Sequence, residues 1–354
     1  MTAIAQTPAG TVARSIRSIL FVELLGGIGD LLIALPAIHA LARSYPGASV
    51  TVLTFSPGDQ LLEADPHVSE VVVAAHGPPE QQRATVQRLA ARSFDLAVTD
   101  VRYGGIPDAL RASGAQVVVD DLWRGPPADE RIDLRFLSLL AADGIIAPAY
   151  RCLTAHVQLT AAEQADAHRV LAALDGGTRP RVLLLPEAGM AIKEWAPERF
   201  RSLTRSLVHD GCRVLLAAAH DRTPSVIAWG IDGATVLPPV SLRTLGAMAA
   251  ACAVCVAGDT GPARVAAAVG TPTVALFGPS WAGRFGLRDE HVSLQSPLQC
   301  EVRDPRNMTE QRCWYSGQCV YDDRRTCTDE LSVDTVLHAV RRLLRAGPRL
   351  GAAG

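Results

Sequence analysis

The sequence predicts an α/β protein built from two parallel-sheet halves. Three observations lead there. Short apolar strands alternate with helical patterns, the series runs through twice, and each half carries a glycine-bearing turn where a strand gives way to a helix. The length of 354 residues fits two domains of ordinary size.

In the first half, residues 18–24 (SILFVEL) form a β-rich apolar run. Gly26-Gly27-Ile28-Gly29-Asp30 follows, and LLIALPAIHALARSYP then has helical spacing. Residues 48–55, 68–74, 96–99 and 116–120 read as further strands. The pattern restarts with a helix over 161–174 and a strand over 181–185. A helix over 197–209 and a strand over 213–217 come next. A helix over 242–251 and a strand over 253–257 lead into Gly258-Asp259-Thr260-Gly261-Pro262, and another strand spans 273–277. The last helix, 333–346, places Val333, Val336, Leu337, Val340, Leu343 and Leu344 at helical spacing, with Arg341, Arg342 and Arg345 on a solvated face. The expected organisation is one Rossmann-like domain over 1–155 and a second over 156–330. A helix and tail over 331–354 complete the chain, and the joint falls within 147–158.

Composition excludes several classes. The formal charge is −2 and aromatic residues make up 5%, so neither an electrostatic nor a base-stacking surface for nucleic acid is expected. The longest apolar stretch, 245–258, has 14 residues, too few to span a bilayer. Peripheral membrane contact stays open. The first fifteen residues lack the apolar core of a signal peptide and read as a frayed terminus. A cytoplasmic protein is expected. Of eight cysteines, Cys152, Cys212, Cys252 and Cys255 fall in apolar or strand-like contexts, while Cys300, Cys313, Cys319 and Cys327 crowd into a polar, loop-like segment over 300–327.

Three clusters carry chemistry. The first turn lacks both the full GxGxxG spacing and a P-loop lysine, which disfavours a nicotinamide-dependent dehydrogenase. Its distinctive residue is Asp30, either an N-cap or a general base at the carboxyl edge of a sheet, where open α/β folds bind ligands. In the second cluster, PEAGMAIKEWAPERF, Lys193 could neutralise a diphosphate or simply be a solvated loop lysine. Trp195 reads as core packing there, and Glu198 complements the dipole of the helix that Pro197 opens. In the third, GDTGPARVAAAVGTPTVALFGPS, Gly258 and Gly261 allow close approach and unusual backbone angles. Pro262 suits a first helical turn, and the helix N-terminus offers N–H groups to phosphate. Asp259 and Thr260 could bind sugar hydroxyls or phosphate oxygens, and Asp259 could also cap the helix.

The three blocks, in this order, resemble glycosyltransferase family 9, the ADP-heptose:lipopolysaccharide heptosyltransferase family. The likeness runs from about residue 18 to 345. It implies a GT-B fold, two Rossmann-like domains facing across a cleft, with 1–155 binding the acceptor and 156–330 the nucleotide sugar. It also implies inverting transfer of a heptose or related sugar from an ADP-sugar to an acceptor hydroxyl. By the same resemblance Asp30 matches the proposed base and Lys193 the diphosphate-binding lysine. Asp259, Thr260 and Gly261 match the donor turn, with Gly29 and Pro262 beside these positions. The chain departs from the pattern at Ala188 and Gly189, where hydroxyl residues are common. It departs again at Arg264, where the family favours histidine; arginine can grip phosphate but does not titrate near neutral pH.

No DxD pair suggests a catalytic metal. The acceptor is open between a lipopolysaccharide sugar, a small-molecule natural product and a protein. A protein that only binds a nucleotide sugar is the non-catalytic alternative. The spacing Cys300-x12-Cys313-x5-Cys319-x7-Cys327 is not that of a common zinc ribbon, but four thiolates can close a tetrahedral zinc or iron site. Some members of the family carry a four-cysteine, iron-binding finger that shares the Cys-x5-Cys step. A structural metal, free thiols and disulfides are the three readings.

Overall fold

The computed structural model describes residues 15–125, 129–175, 179–218, 231–303, 312–321 and 326–347. The frayed terminus expected over the first fifteen residues lies, apart from Ser15, outside them, as does the tail beyond residue 347. The first domain runs β1 (Ser18–Val22), α1 (Ile28–Ser44), β2 (Ser49–Phe55), β3 (Glu70–Ala74), α2 (Pro79–Ala90), β4 (Leu96–Thr99), α3 (Ile106–Arg111), β5 (Val117–Val119) and α4 (Ile132–Ala142). Its sheet has the order β3-β2-β1-β4-β5, parallel throughout.

The second domain begins with α5 (Ala161–Asp175), β6 (Arg181–Leu185), α6 (Pro197–His209), β7 (Arg213–Leu216) and β8 (Ala234–Val236). It continues through α7 (Leu242–Ala250), β9 (Val254–Gly258), α8 (Gly261–Ala268), β10 (Thr273–Phe277), α9 (Ala282–Phe285) and β11 (Val292–Gln295). Three helices follow, α10 (Arg312–Ser316), α11 (Thr326–Asp329) and α12 (Val333–Ala346). The second sheet is also parallel, in the order β11-β10-β9-β6-β7-β8. Both sheets reverse direction of winding at their centre, between β1 and β4 and between β6 and β9. In an open α/β sheet the ligand crevice forms at that switch point, outside the carboxyl ends of the strands.

Burial explains the elements. Ile19 to Val22 and all of β9 are buried, as strands covered by helices on both faces must be. Helix α1 is buried continuously from Leu31 to Leu41, because it lies between its own sheet and the second domain. Helix α6 buries Phe200, Leu203, Thr204 and Leu207, a single helical stripe. Ser332 caps α12 by accepting from Thr335 N at 3.1 Å, and Val336, Leu337 and Val340 pack inward. Arg341 pairs with Asp210 at 2.7 Å and so ties α12 to the end of α6.

The joint is partly apolar and partly ionic. Helix α1 packs on α8, and the first domain's core continues through Val157, Leu242, Val265 and Ala268. The buried Arg243 donates to Gln60 O of the first domain at 3.0 Å and to Glu163 of the second at 2.7 Å. The hydrogen bond from Arg243 holds the Glu163 carboxyl down to about 2. Arg288 meets Asp133 across the same boundary at 2.8 Å.

Several details differ from the sequence reading. Helix α1 begins at Ile28, so Gly29 and Asp30 lie inside it. Strands β8 and β11 were not anticipated: they are short edge strands, half-buried for the most part, with no long apolar run to announce them. Cys152 is exposed rather than in an apolar setting. Among the described residues no helix is long and apolar enough to cross a membrane.

Candidate active site

The turn after β1 forms one wall of the cleft. Gly26 takes φ +99°, a left-handed angle that turns the chain out of the strand. Gly27 is the N-cap residue, and no side chain caps the helix. The N-cap role considered for Asp30 is therefore absent. Its backbone N–H bonds to Gly27 O at 3.0 Å, and its half-buried carboxylate is left for other work. Burial raises the Asp30 pKa above the ordinary range and Asp259 adds to the rise. The charges of Arg264 and Lys193 oppose it, so the second domain's cations lie within electrostatic reach of Asp30.

Behind Asp30 stand two carboxylates that the sequence reading did not single out. Glu23 and Asp100, each 1% exposed, follow the carboxyl ends of the adjacent strands β1 and β4. Glu23 accepts from Thr54 Oγ1 at 2.9 Å and Leu25 N at 3.0 Å. Burial first, then Asp30, push its pKa up to about 7. Among the described residues neither carboxylate oxygen of Asp100 has a hydrogen-bond partner. Burial, then the charges of Glu23 and Asp30, push it well above the usual range. A charged residue closing an apolar strand, as Glu23 does in SILFVEL, was the available signal.

The second domain supplies the opposite wall. Lys193 ends a short 3-10 turn after β6, and Asp259 follows β9, so both stand at that sheet's switch point. Lys193 Nζ lies 2.8 Å from Asp259 Oδ2, with side chains only 16% and 12% exposed. Burial alone would raise the Asp259 pKa. The charges of Lys193 and Arg264, with hydrogen bonds from Lys193 and Ser280, outweigh it and lower the value. Asp259 does not cap α8. Thr260 does, its Oγ1 accepting from Ala263 N at 3.3 Å, and Pro262 sits in the first turn. Gly258 and Gly261 have no left-handed φ. Space is their reason: a β-carbon on Gly258 would stand 3.2 Å from Lys193 O.

Arg264 points across the joint. Its side chain passes Gly29, and its guanidinium donates to Phe285 O. The ring of Phe285 lies 5.8 Å from that of Trp314, and the Trp314 ring centroid is 4.7 Å from Lys193 Nζ. Sequence spacing gave no hint of Trp314, which reaches the site from the cysteine segment. Trp195 is in the core as expected, its indole donating to Leu331 O at 3.0 Å. Glu198 lies in the first turn of α6.

Cys300, Cys313, Cys319 and Cys327 line one small cavity with Ile192, and no disulfide joins any of the eight cysteines, all of which are among the described residues. Burial, then Cys300, push Cys327 up to about 11. A thiol set of this kind suits zinc or iron chemically. Among the described residues, however, no three His, Cys, Asp or Glu side chains are grouped so that they could hold a metal ion.

The sequence profile of glycosyltransferase family 9 (heptosyltransferase) matches residues 139–311, just under half of the chain. Lipopolysaccharide heptosyltransferase 1 of Pseudomonas aeruginosa is 32% identical over 133 residues, which are 36% of this chain and 37% of that protein. The match thus spans little more than a third of that relative. The glycosyl transferase family 9 structure from Veillonella parvula aligns with a TM-score of 0.76 at 16% identity, covering 93% of this chain and 98% of the other. The Escherichia coli ADP-heptose lps heptosyltransferase II structure aligns with a TM-score of 0.66 at 18% identity, covering 94% and 99%. At those identities the structures speak for the fold. Two Rossmann-like parallel sheets that bring their switch points to one charged cleft make the GT-B fold. Over residues 139–311 the chain is similar to glycosyltransferase family 9.

Proposed function

We propose that the chain transfers a heptose, or a closely related sugar, from its ADP derivative to an acceptor hydroxyl with inversion at the anomeric carbon. One observation carries this reading. Asp30 on the first domain faces the Lys193–Asp259 pair and Arg264 on the second, within electrostatic reach. A carboxylate base and a cationic leaving-group site on opposite walls are what a direct displacement requires. The names of the relatives above support a heptose and, for the Escherichia coli protein, its ADP derivative.

In the proposed reaction the acceptor oxygen attacks the anomeric carbon as Asp30 takes its proton. The bond from that carbon to the diphosphate oxygen breaks on the opposite face, hence the inversion. ADP leaves with growing negative charge, which Lys193, Arg264 and the N-terminal N–H groups of α8 stabilise. No catalytic metal has a part in this scheme. The cytoplasm is the proposed compartment, a reading supported by eight cysteines with no disulfide among them. For the four-cysteine segment the proposal is a structural zinc or iron, which would have to draw the thiols closer together than they stand in this structure. Elemental analysis of purified protein showing neither metal would reject it.

The test of function is transfer from ADP-heptose to a panel of sugar, small-molecule and protein acceptors, with the product's anomeric configuration read by NMR. Transfer with retention would overturn the mechanism. Binding of ADP-heptose without transfer to any acceptor, or hydrolysis, would favour a non-catalytic binder. A thermal-shift panel of nucleotide sugars checks the donor, because a ligand of the native state raises its stability.

A further inference from the structure

The cysteine segment touches the donor side of the cleft through Trp314. Its indole Nε1 is buried and, among the described residues, has no hydrogen-bond partner. A buried N–H without an acceptor is costly, and native structures rarely keep one without a use for it. The same ring lies 4.7 Å from Lys193 Nζ, close enough for a cation–π contact, while Lys193 is also paired with Asp259. The ring of Phe285, whose backbone carbonyl accepts from Arg264, lies 5.8 Å from the indole and tilted to it. An unsatisfied donor thus belongs to the ring beside Lys193, one of the two cations that the proposed function assigns to the diphosphate.

The placement is not accidental to α10 alone. Cys313, the residue before Trp314, and Ile192, the residue before Lys193, line the same cysteine cavity. One packed wall therefore sets the positions of both the lysine and the indole.

We propose that Trp314 is a donor-binding residue: its indole N–H donates to an oxygen of the donor's diphosphate, and its ring holds the Lys193 ammonium toward that oxygen. The inference rests on the reading of Lys193 as the diphosphate lysine. It assigns the segment carrying the cysteines a part in donor binding.

The experiment measures binding of ADP, pyrophosphate and adenosine by calorimetry to the wild type and to Lys193→Ala, Trp314→Phe and Trp314→Ala. Trp314→Phe keeps a ring over Lys193 and loses only the N–H. It is expected to weaken ADP and pyrophosphate by about tenfold, the loss of one hydrogen bond to a charged group, and to leave adenosine unchanged. Trp314→Ala is expected to lose more. Wild-type affinity of Trp314→Phe for ADP, with Lys193→Ala impaired, overturns the role of Trp314 and leaves the diphosphate reading intact. Undiminished binding by Lys193→Ala overturns that reading and this inference together. Should a variant fold poorly, the indole N–H resonances of ¹⁵N-tryptophan wild-type protein answer independently. One buried indole signal is expected to shift downfield on adding pyrophosphate, and none shifting overturns the proposal.

Discussion

Gly261 meets Ile28 across the joint between the domains so closely that an added β-carbon would stand 2.7 Å from the Ile28 β-carbon. The N-termini of α1 and α8, which carry Asp30 and follow Asp259, are thus set against each other by the absence of one methyl group. Gly261→Ala should wedge them apart. Overpacking of this kind costs about 1–3 kcal/mol, and a 1 Å displacement of reacting groups costs about a hundredfold in rate. The expected result is a lower melting temperature and turnover reduced at least tenfold. Gly29→Ala is the control: its added carbon meets Arg264 and Gly261 atoms at 3.5–3.8 Å, ordinary contact distances, and near-normal turnover is expected.

Asp30→Asn should abolish measurable transfer, with a loss of about 10²- to 10⁴-fold for a removed general base. ADP affinity should stay within a few-fold of wild type. Normal turnover by this variant would remove Asp30 from the base role.

Lys193→Ala should weaken ADP binding and also destabilise the protein, because Asp259 would be left largely buried without its partner. Breaking such a pair costs about 3–5 kcal/mol. The double variant Lys193→Ala/Asp259→Asn should recover much of the stability and none of the ADP affinity. Additive destabilisation in a double-mutant cycle would show the pair to be uncoupled.

Glu23 makes a prediction in pH. Its folded value of about 7 exceeds its ordinary 4.5, so the folded protein holds this proton more tightly than the unfolded chain. The stability it contributes is complete below pH 4.5 and is lost as pH rises through 7, by roughly 3 kcal/mol in all. Carboxylates held low, such as Glu163 at about 2, act only at more acid pH. Glu23→Gln should therefore flatten the stability profile between pH 4.5 and 7 in chemical denaturation. An unchanged slope across that window would place the Glu23 proton elsewhere.

Much of this cleft could be read in the sequence because its residues sit where a strand stops. Asp30, Lys193 and Asp259 each follow an apolar run within a few residues, in loops punctuated by glycine or proline. The two-sheet architecture followed from the same alternation. What local spacing did not reveal are the pairings made by topology. Glu23 and Asp100 are neighbours only because β1 and β4 lie side by side at the switch point. Trp314 meets Lys193 from a segment more than a hundred residues on, and periodicity contains no trace of that contact. The capping assignment failed for a local reason. Asp259 and Thr260 are both good caps, and the buried lysine drew the aspartate away, leaving the hydroxyl to close the helix.

That division of labour has a consequence for turnover. With Thr260 serving the helix, Asp259 acts as a built-in counter-anion, so Lys193 is never without a negative neighbour even in the resting protein. On the proposed reading, an arriving diphosphate must compete with a carboxylate already in place, which tempers its affinity. When ADP departs, the same carboxylate reclaims the ammonium and spares the site the cost of an exposed, unmatched charge in a half-buried cleft. The donor site would then trade tight holding of its product for prompt release.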